Sequence, residues 1–285
     1  MKIIIVGLGQ TGTTLISALS RSKYDITVVD KDKARVERIT DKYNVNGVTG
    51  SGASKGTLMA AGADTADVIV ALTPVDEINL LSCMQAKALG TRRGGARLLL
   101  PDFVHEAESL KKQYNIDYFV KPKLDIAEEI YKNIGLNGAG AGRKEVKRIV
   151  IVGGGITGGY LMDMLSGDRK RVTILENDTS RCRELMEKYP SARVAYSGGE
   201  IIDVLEEENV SEADCLISLT DNDETNLVIS MYAWSLNIPS IITRVDNPGH
   251  VKLLHKVSMD ITVSTTELSA LKMIRFIESL VGSEG

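Results

Sequence analysis

Ile3-Ile4-Ile5-Val6-Gly7-Leu8-Gly9-Gln10-Thr11-Gly12 opens the chain, and Ile149-Val150-Ile151-Val152-Gly153-Gly154-Gly155-Ile156-Thr157-Gly158 repeats the pattern 146 residues later. Each stretch is an apolar run followed by G-x-G-x-x-G, as where a buried strand turns into a helix. The first glycine permits the tight turn. The second lets backbone approach a pyrophosphate, and the third lets the helix pack close to the strand. Helix N–H groups then face the phosphates, and the dipole favours their charge. Gly154 adds freedom to the second loop. An acidic residue follows each fingerprint at equal distance, Asp30 after Thr27-Val28-Val29 and Glu176 after Thr173-Ile174-Leu175. A carboxylate there accepts hydrogen bonds from ribose hydroxyls and repels a 2′-phosphate, which favours NAD or ATP over NADP; Lys31 softens that exclusion.

The register holds well beyond the loops. Thr73-Pro74-Val75-Asp76-Glu77-Ile78-Asn79 pairs with Thr220-Asp221-Asn222-Asp223-Glu224-Thr225-Asn226, and Arg97 and Pro101 with Arg244 and Pro248, all at an offset of 147. One inserted residue across so long a stretch marks the duplication of a whole domain. Strands are expected at 2–6, 25–29, 46–49, 68–72, 96–100 and 117–120, then at 148–152, 171–175, 193–196, 215–219, 240–243 and 261–263. Helices are expected near 11–22, 31–43, 55–61, 76–89, 102–114 and 124–134, with a last one near 266–281. The alternation predicts an α/β chain of two tandem doubly wound Rossmann-like domains. Each has a six-stranded parallel sheet and a terminal crossover helix. The expected boundaries are 1–136, a Gly/Ala-rich linker at 137–145, and 146–285. In the last helix Leu268, Leu271, Ile274, Ile277, Leu280 and Val281 form an apolar stripe that needs a partner.

Further candidate site residues sit where strands end. Gly50-Ser51 and Ser197-Gly198 follow the third strands, where small residues keep an adenine slot open. Thr73-Pro74 and Thr220-Asp221 end the fourth strands at the carboxyl edge of the sheet, where ligands bind in this architecture. Arg97 and Arg244 lie in the fifth strands among apolar neighbours. A guanidinium there needs an anion, either a ligand phosphate or a nearby carboxylate. Asp76 and Asp223 open the next helices, as N-caps or as ligand contacts.

The remaining composition narrows the function classes. A net charge of -4 and a pI near 5.6 speak against nucleic acid as partner. Arg92-Arg93 and Arg169-Lys170-Arg171 read as solvated loop charges. Cys83, Cys182 and Cys215 lack metal-ligand spacing and read as reduced core thiols, and His105, His250 and His255 do not pair with them into a metal site. The four-residue apolar opening is too short for a signal peptide, and no run reaches membrane-spanning length. Nearly every residue is taken up by the two nucleotide units, which leaves no second domain for substrate. The residues therefore point to a protein that binds a nucleotide in order to sense it. The alternatives are a small NAD-dependent oxidoreductase and a nucleotide-binding scaffold.

The first fingerprint, Asp25 to Asp30, Ala61-Gly62-Ala63, Thr73 to Asn79 and Arg97 to Asp102 together resemble the TrkA regulatory subunits of bacterial and archaeal potassium uptake systems, which carry RCK/KTN domains. The resemblance covers both halves. It implies a cytosolic subunit, not an enzyme, that binds NAD(H), or ATP and ADP as in relatives. It also implies peripheral docking under a Trk-type membrane potassium transporter, which it gates, and homo-oligomers joined through crossover helices near 124–134 and 266–281. Such proteins carry a smaller C-terminal domain after each unit; here the Gly/Ala linker stands where the first is expected, and the second would follow residue 285. Many relatives have an Asp after the third-strand glycine, where this chain has Ser51 and Gly199.

Overall fold

The computed structural model describes residues 1–138, 146–256 and 261–281. The first repeat runs β1 (Lys2–Val6), α1 (Gln10–Leu19), β2 (Asp25–Asp30), α2 (Lys33–Lys42), β3 (Asn46–Thr49), α3 (Lys55–Ala60), β4 (Val68–Ala71), α4 (Asp76–Leu89), β5 (Arg93–Arg97), α5 (Pro101–His105), α6 (Ala107–Tyr114), β6 (Tyr118–Val120) and α7 (Pro122–Gly138). The second runs β7 (Arg148–Val152), α8 (Ile156–Leu165), β8 (Arg171–Glu176), α9 (Thr179–Lys188), β9 (Arg193–Tyr196), α10 (Ile201–Glu207), β10 (Cys215–Ser218), α11 (Asp223–Ser235), β11 (Ser240–Arg244), α12 (Pro248–Lys256), β12 (Ile261–Val263) and α13 (Thr265–Val281). The strands form two parallel six-stranded sheets in the orders β3-β2-β1-β4-β5-β6 and β9-β8-β7-β10-β11-β12, the doubly wound order expected. Residues 139–145 of the expected linker lie outside the described residues; Asn137 and Gly138, which open it, close α7.

Ile3, Ile4, Ile5 and Val6 are at most 1% exposed, so β1 is covered on both faces as its unbroken apolar run requires. Each such side chain contributes ~1.5–3 kcal/mol by leaving water.

The compact units depart from the sequence halves at their closing helices. One unit is Met1–Pro122 completed by the chain from Thr266 on; the other is Lys123–Thr265. Each repeat thus gives its last helix to the unit built by the other. In the first unit Ala270, Met273 and Ile277 of α13 join the core of Ile3, Ile5, Leu15, Val68 and Val120. Phe276 stacks on Tyr118 with ring centroids 5.0 Å apart. In the second unit α7 buries Ile126, Ala127, Ile130 and Ile134, and the Tyr131 hydroxyl donates to Asp168 at 3.4 Å. The buried face of α13 is rotated from the expected stripe: Leu271 and Val281 are exposed, while Ala270 and Met273 face inward.

This packing explains the one strand that the sequence reading displaced. Strand β5 is Arg93–Arg97, not 96–100. A Cβ on Gly95 would stand 3.0 Å from Phe276 and 3.3 Å from Met273, so the helix above this strand needs glycine where composition suggests a turn. Leu99 and Leu100 leave the strand because the Asp76 carboxylate accepts both their N–H groups, at 2.8–2.9 Å. Asp223 does the same for Asp246 and Asn247. Both aspartates are therefore turn anchors, and the N-caps are Val75 and Asn222. The helix expected over 102–114 is divided at Glu106. Arg93 and Arg171 begin strands rather than standing in loops, and Arg93 pairs with Asp117 at 2.8 Å.

Asn79, wholly buried in the first turn of α4, closes the carboxyl edge of the sheet. Its amide oxygen accepts from the Thr73 N–H at 2.8 Å and the Thr73 hydroxyl at 2.7 Å. Its nitrogen donates to the Thr73 carbonyl at 2.9 Å and the Arg97 carbonyl at 3.0 Å. That uses every valence an amide side chain has. Asn226 repeats the set on Thr220 and Arg244 at 2.9, 2.7, 2.9 and 3.0 Å.

Two outcomes follow from these contacts. Asn79→Ala leaves buried backbone groups unpaired and should lower stability by about 3 kcal/mol in urea unfolding; a loss under about 0.5 kcal/mol would mean that the clamp holds nothing. Met273→Ala should cost ~2–5 kcal/mol. In hydrogen exchange it should speed amides of β1 and β5 and leave β7 and β11 unchanged; the reverse pattern would refute the assignment of α13 to the first unit.

Candidate nucleotide-binding sites

In the first unit the fingerprint forms the turn between β1 and α1. Gly7 has φ +95°, and a Cβ there would lie 2.8 Å from the Thr73 nitrogen. A Cβ on Gly12 would stand 2.0 Å from the Gly7 carbonyl, so helix and turn touch backbone to backbone. Gly9 is the N-cap of α1, and nothing lies within 4 Å of where its Cβ would be. That loop therefore offers open space. Helix α1 has no side-chain cap and no acidic residue in its first turn, which contains Gln10, Thr11 and Gly12. Helices α2, α3, α9 and α11 differ: Asp32, Ser54, Asp178 and Asn222 cap them. The two glycine loops thus open uncapped helices suited to an anion.

Asp30 ends β2 beside this loop. One carboxylate oxygen accepts the Leu8 N–H at 2.7 Å, the other the Asp32 N–H at 2.9 Å. The carboxylate is thereby fixed against the loop with lone pairs left over. Lys31 is exposed next to it. Gly50 and Ser51 turn the chain after β3: the Gly50 N–H reaches the Asp30 carbonyl at 2.8 Å, and the Ser51 hydroxyl accepts from Ala53 at 3.3 Å. Thr73 spends its N–H and hydroxyl on Asn79, so it shapes the edge and has little left for a ligand. Pro74 is exposed beside it. The half-buried Arg97 donates from Nε to the Thr73 carbonyl at 3.3 Å. Burial lowers its pKa, and Asp76 opposes that shift.

In the second unit the equivalent residues line a cleft of about 840 Å³, within the range of small-molecule sites. Gly153, Gly155, Ile156, Thr157, Gly158, Glu176, Ser197, Thr220, Asp221 and Arg244 all face it. Gly198 instead lies against the Tyr196 hydroxyl, which a Cβ would overlap. Gly153 takes φ +110°, and Gly155 is again the uncapped N-cap. Gly154 is confined, not loose: a Cβ would lie 2.4 Å from Leu185. Glu176, 8% exposed, reaches further than Asp30 and accepts from Gly154, Asn177 and Asp178 at 2.8, 2.8 and 2.9 Å. Its oxygens are more nearly saturated than those of Asp30.

Two cations in this cleft escaped the sequence reading. Arg181 of α9 donates through Nε to the Gly154 carbonyl at 2.8 Å and through NH2 to the Gly155 carbonyl at 3.4 Å, so it lies along the loop. The repeat hinted at this position, but its counterpart Arg35 pairs with Asp32. Lys123 enters from α7, a helix numbered with the first repeat, so no local signal placed it in the second site. The three thiols are buried; burial pushes Cys83 up to about 12 and raises Cys182, whose neighbours Glu176 and Asp178 raise it further. Neither is a nucleophile at neutral pH. Among the described residues no His, Cys, Asp and Glu group is arranged for a metal ion.

The TrkA-N domain profile matches residues 3–122 and again 149–265. Among curated proteins, Trk system potassium uptake protein trkA homolog 1 of Methanosarcina mazei is 25% identical over 378 aligned positions, covering 100% of this chain and 92% of the relative. That alignment is longer than this chain of 285 residues, so the relative carries stretches that this chain has no counterpart for. Trk system potassium uptake protein TrkA of Halomonas elongata is 26% identical, covering 93% and 76%. Among solved structures, GsuK bound to ADP superposes with a TM-score of 0.76 at 19% identity, covering 98% of this chain and 69% of that one. The GsuK channel bound to NAD gives 0.76 at 15%, covering 97% and 63%. The structural likeness establishes the fold, and the paired profile match establishes the family: this chain belongs to the TrkA-N domain family, whose domain it carries twice.

Proposed function

We propose that this chain is a nucleotide-sensing regulatory subunit of a potassium uptake system, with one nucleotide site in each unit. The observation that carries the reading is the glycine loop built twice: an uncapped helix N-terminus set beside a second-strand carboxylate at the carboxyl edge of a parallel sheet. The relatives supply the transport setting, since both are Trk potassium uptake proteins by name. NAD(H) is the ligand that Asp30 favours, with ATP or ADP fitting the same loop, and GsuK is known with NAD and with ADP.

In the first site Gly7 to Gly12 would hold the phosphates, Asp30 the ribose, Gly50 and Ser51 the adenine side, and Arg97 an anionic group. In the second, Gly153 to Gly158, Glu176, Ser197 and Arg244 take the same places, while Thr220, like Thr73, spends its N–H and hydroxyl on the buried asparagine. The bound nucleotide acts by its presence, and no bond in it breaks. Occupancy favours one arrangement of the units over another, and that difference in affinity is what gates a transporter. The subunit works in the cytosol on the inner face of a Trk-type membrane transporter. No described helix is long and apolar enough to cross a membrane. Assembly with further copies runs through the crossover helices, and Leu271 and Val281 of α13 are exposed for it.

Asp30→Ala should weaken NAD(H) at the first site by about tenfold to a hundredfold, read by calorimetry. Unchanged affinity would remove that carboxylate from the ribose. Potassium flux through a Trk-type transporter in vesicles should respond to nucleotide only when this chain is present. Flux indifferent to nucleotide, or steady turnover of NADH with carbonyl compounds, would overturn the regulatory reading.

A further inference from the structure

At the amino edge of the sheets, away from the glycine loops, the two repeats part. Arg148, Arg171 and Arg193 begin β7, β8 and β9, whereas Lys2, Asp25 and Asn46 begin β1, β2 and β3. In the second unit Arg193 donates through Nη2 to Glu208 at 2.8 Å, and Arg148 pairs with Glu212. The Glu208 side chain is only 11% exposed, so it lies down in the groove there. The repeat places Ala61 at Glu208 and Thr65 at Glu212, both 147 positions earlier. Ala61 and Glu208 are the C-caps of α3 and α10, which fixes that alignment in the structure. With both glutamates replaced by short side chains, the first unit keeps a cavity of about 300 Å³, at the lower end of small-molecule sites. Buried Ile4, Ala61 and Ala66 and half-buried Val48 give it apolar walls. Lys2 and Asp25 are register partners on adjacent strands, so a cation and an anion share its rim. Lys2 Nζ donates to the Thr65 hydroxyl at 3.3 Å and meets no carboxylate in ion-pair range among the described residues. Asp25 accepts from the Asn46 amide over a long 3.4 Å.

We propose that this cavity binds a small zwitterion, an aliphatic α-amino acid. Its carboxylate meets Lys2, its ammonium meets Asp25, and its side chain lies against Ile4, Val48 and Ala66. An anion alone would face Asp25, and a cation alone would face Lys2. A molecule that carries both charges on neighbouring atoms satisfies the two together. The ligand's carboxylate takes the part that Glu212 plays for Arg148 in the second unit. That unit supplies its own carboxylates and has no room for the ligand. The cavity stands at the opposite edge of the sheet from the glycine loops, so it is independent of the nucleotide reading and gives the first unit a second class of ligand.

The test is a methyl NMR titration of the full chain, labelled at isoleucine δ1 carbons, with three probes. These are leucine, isocaproate, which lacks the ammonium, and isoamylamine, which lacks the carboxylate. The Ile4 methyl should shift saturably with leucine, with a midpoint of about 1–10 mM because the rim charges are exposed, while Ile149 and Ile151 stay in place. Each truncated probe should bind about fivefold or more weakly. Lys2→Gln should leave leucine no tighter than isoamylamine. Asn46→Arg combined with Ala61→Glu installs the ion pair of the second unit, and it should abolish the shift in a chain that still melts cooperatively. An Ile4 methyl unmoved by leucine at about 50 mM, a response to either truncated probe equal to that to leucine, leucine binding unchanged by Lys2→Gln, or a shift that persists in the folded double variant would overturn the inference.

Discussion

A buried asparagine amide that has spent all four of its hydrogen bonds sets the geometry on which each site depends. The carboxyl edge of a parallel sheet is where strands stop and backbone groups lose their ladder partners. Asn79 and Asn226 solve this by tying the ends of β4 and β5, and of β10 and β11, to the helix between them. Asp76 and Asp223 then take the N–H groups of the next turn. None of these four residues needs to touch a ligand. They fix Thr73, Arg97, Thr220 and Arg244, and the asparagine bonds of the two units agree within 0.1 Å.

Much of this was legible in the residues. The strand–glycine–helix openings, the carboxylates that follow, and the offset of 146 to 147 are local or periodic signals, and they gave the sheet order and the loops. What was not legible depends on contacts remote in sequence. Gly94 and Gly95 form a strand because Cys83, Phe276 and Met273 cover them, not because glycine favours strand. Asp76 looked like a cap because it opens a helix; its partners lie 23 and 24 residues on. Gly154 looked flexible, yet Leu185 confines it. The arginine–carboxylate alternative left open by composition resolves differently in the two repeats, and only the neighbours Asp221 and Asp246 decide it.

The exchange of closing helices gives the duplication a physical consequence. A domain that owned all its elements could fold and titrate alone. Here the chain leaves β6 and enters a helix that completes the second unit, while α13 completes the first. Met273 and Ile277, both wholly buried, are as much part of the first core as Ile5 is. Lys123 carries the same principle into the chemistry, since a residue numbered with the first repeat lines the cleft of the second.

Native mass spectrometry of the full chain with added ADP addresses the central claim most directly. Two functional glycine loops predict successive additions up to two nucleotides per chain. A chain that never exceeds one, whatever the concentration, would contradict the account, because its second loop would then be a turn that binds nothing.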